Sequence, residues 1–237
     1  MLTRLQLLTG ATGSLGVHLL AQLITRKDVE KVICFGRGAN LSERIQESLK
    51  SRQLSTELGK VTVHAVDLAQ PQFGLGDALY SRLRREVTHI IHAAWPVNFQ
   101  LGLSAFEPQI AGLKNLLDFS LTTDKQSPAR TLFCSSVSTA MATPGPATVK
   151  ESLIDDFRHA LPQGYARSKL VSEHIVHSAT EAGGDAHSLR IGQIIGDTQT
   201  GIWNSSEAFP LIVQSALALK MLPKLDVVSN HPLLFFN

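Results

Sequence analysis

Tyr165 and Lys169 stand four residues apart in "QGYARSKLVSE", so on a helix they share one face. A phenol that titrates near ~10 is a poor acid–base group at neutral pH, but a neighbouring ammonium stabilises the phenolate and brings it toward the working range. Upstream, "FCSSVST" ends an apolar run in hydroxyls, and Ser136 among them can hydrogen-bond an oxygen on which negative charge develops. Together these residues make a proton-transfer device for carbonyl reduction. Ser136 would hold the oxygen, Tyr165 would give the proton, and Lys169 would support Tyr165 and grip the nicotinamide ribose. A Tyr-x-x-x-Lys spacing is common by chance, so its weight depends on what accompanies it.

"LLTGATGSLG", residues 7–16, accompanies it, with three glycines spaced three apart between a strand-like run and an apolar helical pattern. In such a loop Gly10 permits the sharp turn, Gly13 lets the backbone approach a pyrophosphate, and Gly16 lets the helix pack close on the strand. The helix N-terminus then offers free N–H groups to the anion. The spacing is GxxGxxG rather than the common GxGxxG, and a purely structural strand-to-helix turn would look the same. The next strand-like run ends "CFGRG", with no acid between Lys31 and Ser42. An acid there would bond a free ribose 2′-hydroxyl, whereas Arg37 suits a 2′-phosphate through two parallel hydrogen bonds, which points to NADPH. Asp67 in "VHAVDLAQ" closes the third run, where it would meet the adenine edge or cap a helix.

These residues need a scaffold that gathers strand ends. Short apolar runs, "RLQLLT", "KVICFG", "VTVHAV", "HIIHAA", "TLFCSS" and "AHSLRI", alternate with helical patterns, namely "SLGVHLLAQLITR", "LSERIQESLKSR", "DALYSRLRRE", "SAFEPQIAGLKNLLDFSL" and "YARSKLVSEHIVHSAT". That alternation predicts an α/β fold, a Rossmann-type doubly wound parallel sheet with helices on both faces. At 237 residues and 43% hydrophobic, one well-filled core is expected. A formal net charge of +2 on dispersed Lys and Arg gives no stripe for nucleic acid. Cys34 and Cys134 are too few for a disulfide framework, and the nine histidines lack ligand spacing, so no metal is expected. No apolar stretch approaches a membrane span, and a reducing cytoplasmic setting fits best.

"TGATGSLG", "VDLA", "IIHAAW", "FCSSVS" and "YARSK" occur in the order used by the extended short-chain dehydrogenase/reductase family, which the chain resembles. "HAAWPVNFQLGLSAFEPQIAGLKNLLDFS" and "RIGQIIGDTQTGIWN" look most like its thioester reductase branch, the terminal reductase domains of fungal nonribosomal peptide synthetase-like and polyketide assembly lines. The resemblance implies that Ser136, Tyr165 and Lys169 are catalytic. It also implies that NADP(H) lies among Gly10, Thr12, Gly13, Ser14, Leu15, Gly16, Arg37, Asp67 and Leu68, with His92, Ala93, Ala94 and Gln193 near by and Tyr165 and Lys169 in contact. The implied reaction is hydride transfer to an acyl thioester on the phosphopantetheine arm of a carrier protein, releasing an aldehyde and, after a second hydride, an alcohol.

Gln109 opens "QIAGLKN" where many extended members have asparagine. His92, near the crevice by family position, reads more readily as a packed, hydrogen-bonded strand histidine, and Trp95 equally as a pocket wall or a cover for the sheet. Asp197, Thr200 and Gly201 read as a turn. Residues 1–237 are expected to form one NAD(P)-binding domain, with 202–237 the truncated start of a C-terminal substrate lobe, since the resemblance lapses after "LPKLD". A nucleotide-sugar epimerase or dehydratase would share the loop and the Tyr-Lys pair, and a noncatalytic NADP-binding remnant would share the fold.

Overall fold

A computed structural model describes residues 4–123 and 127–221. Their elements run β1 (Arg4–Thr9), α1 (Ser14–Thr25), β2 (Val29–Gly36), α2 (Leu41–Ser51), β3 (Val61–Ala65), α3 (Asp77–Glu86), β4 (His89–His92), α4 (Glu107–Leu121), β5 (Arg130–Ser136), α5 (Gly164–Glu181), β6 (Ala186–Ile191) and α6 (Ala208–Leu219). The described chain divides into two compact units, one ending at Ile191 and one starting at Gly192. The first holds one six-stranded sheet in the order β3-β2-β1-β4-β5-β6. Every pairing is parallel. The expected Rossmann-type fold is therefore the observed one.

Parallel strands covered on both sides must be apolar on both faces, which is why these runs read as continuous rather than alternating hydrophobics. Leu8, Val32 and Cys34 point to one face and pack with Val17, Leu20, Ile45 and Leu49 of α1 and α2. Leu7, Ile33, Phe35 and Ile90 point to the other, against Leu83, Leu116 and Phe119 of α3 and α4. Phe133 of β5 packs with Leu113, Leu117 and Val176 of α4 and α5. The "ATPGPATVKES" stretch carries no helix or strand, as its prolines require.

The chain reverses winding direction between β1 and β4, where Thr9 pairs with His92. Doubly wound sheets open a ligand crevice at this switch point, outside the strands' carboxyl ends. Gly10 makes the turn there at φ +81, and a Cβ on it would stand 2.8 Å from the Ala93 backbone. The expected fourth strand ran to Ala94, but its ladder stops at His92. Its successor is diverted because the Ala94 N–H donates to Thr9 Oγ1 at 3.1 Å. The expected start of the fourth helix, at Ser104, is a short 3-10 turn over Leu103–Phe106. The α-helix itself begins at Glu107, with Pro108 in its first turn. Helix α6 was not anticipated, because "AFPLIVQSALAL" is apolar all round and has no amphipathic period to mark it.

In the second unit, Asp197 Oδ1 accepts from the N–H groups of Gln199 (2.9 Å) and Thr200 (2.7 Å), so these residues form the expected turn. The apolar tail "LLFFN" lies outside the described residues. Gly16 offers the sharpest test of the β1–α1 packing, since a Cβ there would stand 2.1 Å from the Gly10 carbonyl oxygen. Gly16→Ala is expected to cost about 2–3 kcal/mol and to lower Tm by roughly 5–10 °C, read by circular dichroism.

Candidate active site and cofactor cavity

A cavity of about 290 Å3 opens at the switch point. Its floor is Gly10, Ala11, Thr12 and Gly13, and its far end carries Arg37, Leu41 and Arg44. Asp67, Leu68 and Ala69 form one side, and His92 to Pro96 with Gln109 form the other. Helix α1 begins at Ser14, behind Gly13, with no side chain capping its first N–H groups and no acid in its first turn. Its positive end is thus open to an anion. Arg44 Nη1 donates to the Arg37 carbonyl at 2.9 Å, so the two exposed arginines share one corner. Asp67 Oδ1 accepts from the Ala69 N–H at 3.0 Å, which settles its local role as a turn and not a helix cap. Asn115 of α4 pins that turn from beneath by donating to the Leu68 carbonyl at 2.8 Å.

His92 is 2% exposed. Its Nδ1 is 2.8 Å from Thr9 Oγ1, and its Nε2 is buried without a partner. Burial, and next the Lys169 ammonium, pull its pKa down to about 3, so the ring is neutral across the working range. Both readings of His92 hold, since it is packed in the core and also lines the cavity. Trp95 likewise serves as cavity wall and as cover, stacking on Phe106 and standing edge-on to Phe133. Gln109 lines the cavity with its Oε1 buried and unpartnered.

Ser136, Tyr165 and Lys169 come together although 29 residues separate the first two. Strand β5 delivers Ser136 at its carboxyl end, and α5 brings Tyr165 and Lys169 on successive turns. Ser136 Oγ accepts from the Ser138 N–H at 3.2 Å and from Ser138 Oγ at 2.9 Å, which leaves its own proton free to donate. Burial pushes the Tyr165 phenol above its ordinary value, and the hydrogen bond from Ser136 opposes that shift. Lys169 is 3% exposed. Its Nζ donates to the Cys134 carbonyl at 2.5 Å and lies 4.3 Å from the Trp95 ring centroid and 4.6 Å from that of Phe133. Burial pulls its pKa down to about 7, with Cys134 and Glu173 acting in the opposite sense.

The sequence suggested an ammonium that lowers the Tyr165 pKa, and the geometry differs. The ammonium points at the Cys134 carbonyl, 5.9 Å from the tyrosine ring centroid, and burial dominates the phenol. Tyr165 therefore keeps its proton at neutral pH, which is the form a proton donor needs.

The family model of the male sterility protein, a class of NAD-binding domain, matches residues 8–232. The chain belongs to this family. It is 36% identical over 93% of its length to the non-canonical non-ribosomal peptide synthetase ascB of Acremonium egyptiacum, covering 22% of that protein. It is 38% identical over 91% of its length to a carboxylic acid reductase of Neurospora crassa, covering 20% of it. The chain thus spans about a fifth of the length of these curated relatives. Among solved structures, the terminal R domain of the myxalamid PKS-NRPS pathway superposes with a TM-score of 0.86 at 28% identity, over 96% of this chain and 58% of that one.

In this member of the male sterility protein family, the cavity wall takes in Gly10, Thr12, Gly13, Arg37, Asp67, Leu68, His92, Ala93 and Ala94 of the expected cofactor set. Ser14, Leu15 and Gly16 are not on the wall and sit in the first turn of α1, and Tyr165 and Lys169 are not on it either. Gln193 belongs to the second unit, where its Nε2 donates to the Ile194 carbonyl at 2.9 Å. Arg44, Asn115 and Glu173 went unremarked in the sequence. Glu173 alone carried a legible signal, since it extends the Tyr165–Lys169 spacing by four more residues on the same helix face. Among the described residues, no group of His, Cys, Asp and Glu is placed to hold a metal, and no helix is long and apolar enough to cross a membrane.

The chain has two tyrosines, so a Tyr80→Phe background isolates Tyr165. Its phenolate absorbance is expected to rise with a midpoint above 10. Ser136→Ala is expected to move that midpoint further up, because a hydrogen bond that favours the phenolate is lost.

Proposed function

We propose that this chain is the NADPH-binding catalytic part of a reductase that converts a carrier-bound acyl thioester into an aldehyde. The observation that carries the reading is the partly buried Ser136–Tyr165–Lys169 set, joined through Trp95 to the wall of a cavity open to an anion at a helix N-terminus. The cavity suits a dinucleotide. A side chain at Gly10 would collide with the Ala93 backbone, the first N–H groups of α1 are uncapped, and two arginines wait at the far corner. Thr12 and Gly13 would take the pyrophosphate. Arg37 and Arg44 would take a 2′-phosphate, which favours NADPH over NADH, and Asp67 would face the adenine.

Bound NADPH supplies the hydride. Ser136 and Tyr165 would both hydrogen-bond the thioester carbonyl oxygen and stabilise its developing charge. Tyr165 would pass its proton to that oxygen as the carbon is reduced, giving a hemithioacetal and a phenolate. The Lys169 ammonium, 5.9 Å from the Tyr165 ring centroid, would favour that phenolate through space and not by direct contact. The phenolate would then recover the hydroxyl proton as the C–S bond breaks. The thiolate leaves and takes a proton from water, and the aldehyde departs. Each oxygen keeps a donor throughout, and the tyrosine ends as it began.

The named relatives support this reading, being a peptide synthetase, a carboxylic acid reductase and a terminal R domain of a PKS-NRPS pathway. None of these names favours a sugar epimerase. A carrier protein bearing the acyl-phosphopantetheine arm is the partner this chemistry requires.

Fluorescence titration is expected to give clear preference for NADPH over NADH. Arg37→Ala with Arg44→Ala should weaken NADPH by about 10- to 100-fold and leave NADH nearly unchanged. Tyr165→Phe should bind NADPH as the parent does while losing aldehyde formation from an acyl-pantetheine thioester. Equal affinity for both cofactors, or full turnover by Tyr165→Phe, would overturn the assignment.

A further inference from the structure

Glu173 lines no part of the cavity and takes no step in the chemistry above, yet its carboxylate is 3% exposed and densely bonded. Its Oε1 accepts from Ser135 Oγ at 2.5 Å and from Thr139 Oγ1 at 3.2 Å. Arg190 of β6 forks onto it, with Nε 3.2 Å from Oε1 and 3.1 Å from Oε2, and Nη2 2.7 Å from Oε2. Arg190 is itself fixed, donating to the Ser152 carbonyl at 2.9 Å and the Lys150 carbonyl at 3.3 Å.

Ser135 immediately precedes Ser136, and Thr139 ends the 3-10 turn that follows it. One carboxylate therefore grips both flanks of the catalytic serine from the helix that carries Tyr165 and Lys169. A helix and a strand share no backbone ladder, so side-chain contacts set their relative height. Apolar packing alone would seat α5 on the sheet, and a buried ion pair is a poor way to add stability.

We propose that Glu173, locked by Arg190, Ser135 and Thr139, is a positioning residue that holds the Tyr165–Lys169 helix to Ser136 and fixes an anion one turn beyond Lys169. The proposal rests on the reductase reading for its purpose, but its physical content stands without it. The titratable groups facing Lys169 are His92 from β4, Cys134 from β5, and Tyr165 and Glu173 from α5, with Arg190 of β6 beyond Glu173. His92 is neutral, its pKa pulled down to about 3, and burial pushes the Cys134 thiol up, so it too is neutral near pH 7. Glu173 is then the fixed charge that favours the ammonium form of Lys169 against its burial.

Trp95 reads that charge directly, since its ring centroid is 4.3 Å from Lys169 Nζ and the chain holds one other tryptophan, Trp203. The test follows the Trp95 indole N–H by NMR against pH in the full chain, with Trp203→Phe for assignment. The parent should titrate near pH 7, and Lys169→Met should abolish the transition. Glu173→Gln should move the midpoint down by about one unit, and Arg190→Met should move it up, because the anion is then uncompensated. Glu173→Gln with Arg190→Met removes the whole pair, guards against misfolding of the single variants, and should also move it down. Ser135→Ala with Thr139→Val keeps the charge and should leave it in place. Shifts in the same direction for Glu173→Gln and Arg190→Met, or none in variants that retain the parent's dispersed amide spectrum, would overturn the proposal. Absence of any Lys169-dependent transition in the parent would do the same. No step of the test needs NADPH or substrate, so its failure is separable from failure of the reductase reading.

Discussion

An ammonium buried at 3% exposure is the constraint around which the site is built. Taking it from water is costly, and a lone buried lysine would simply shed its proton. Lys169 is compensated by a carbonyl at the end of β5, by the faces of Trp95 and Phe133, and by an anion one turn along its own helix. Such aromatic contacts contribute up to about 2 kcal/mol when desolvated. The balance leaves Lys169 near neutrality, where its charge responds to small changes around it. Placing these partners fixes the neighbours. Trp95 must close over the lysine, Phe133 must sit beneath it, and β5 must end where its Cys134 carbonyl meets Nζ.

That arrangement presupposes the tight switch point. Because the Gly10 turn lies against Ala93 and α1 lies against the Gly10 carbonyl, β1 and β4 bring Thr9 and His92 side by side. His92 then stacks on Phe133 and stands edge-on to Trp95, so the same neutral ring joins the cavity wall to the lysine's aromatic surround. The glycine loop is thus a packing device whether or not a ligand is present, and its openness to an anion follows from that packing. Phe99, edge-on to Tyr165 at 5.3 Å, extends the apolar surround to the proton donor.

Much of this was legible in the sequence because it rests on local patterns. The strands were readable as apolar runs, and Tyr165 and Lys169 share a face because helical spacing demands it. Arg37 and Asp67 were readable as strand-end residues once a parallel sheet was assumed. What escaped depends on contacts made across the fold. Arg44 matters through its bond to the Arg37 backbone, and Asn115 through the distant Leu68 carbonyl. The truncation of β4 depends on the Thr9 hydroxyl capturing the Ala94 N–H. The upward shift of the Tyr165 phenol escaped because spacing along a helix does not tell where a lysine's Nζ points; here it points to the Cys134 carbonyl. Helix α6 was missed for want of any polar face.

In the proposed reaction, hydride passes from NADPH to a thioester carbonyl held by Ser136 and Tyr165. Reaction of the full chain with NADPH deuterated at the transferable position of C4, and with benzoyl- or octanoyl-pantetheine, tests it by mass spectrometry of the product. The proposed reaction requires one deuterium on the aldehyde carbon and an equal amount of free pantetheine thiol. Cofactor oxidised without label at that carbon, or NADPH bound with no transfer to either thioester, would contradict it.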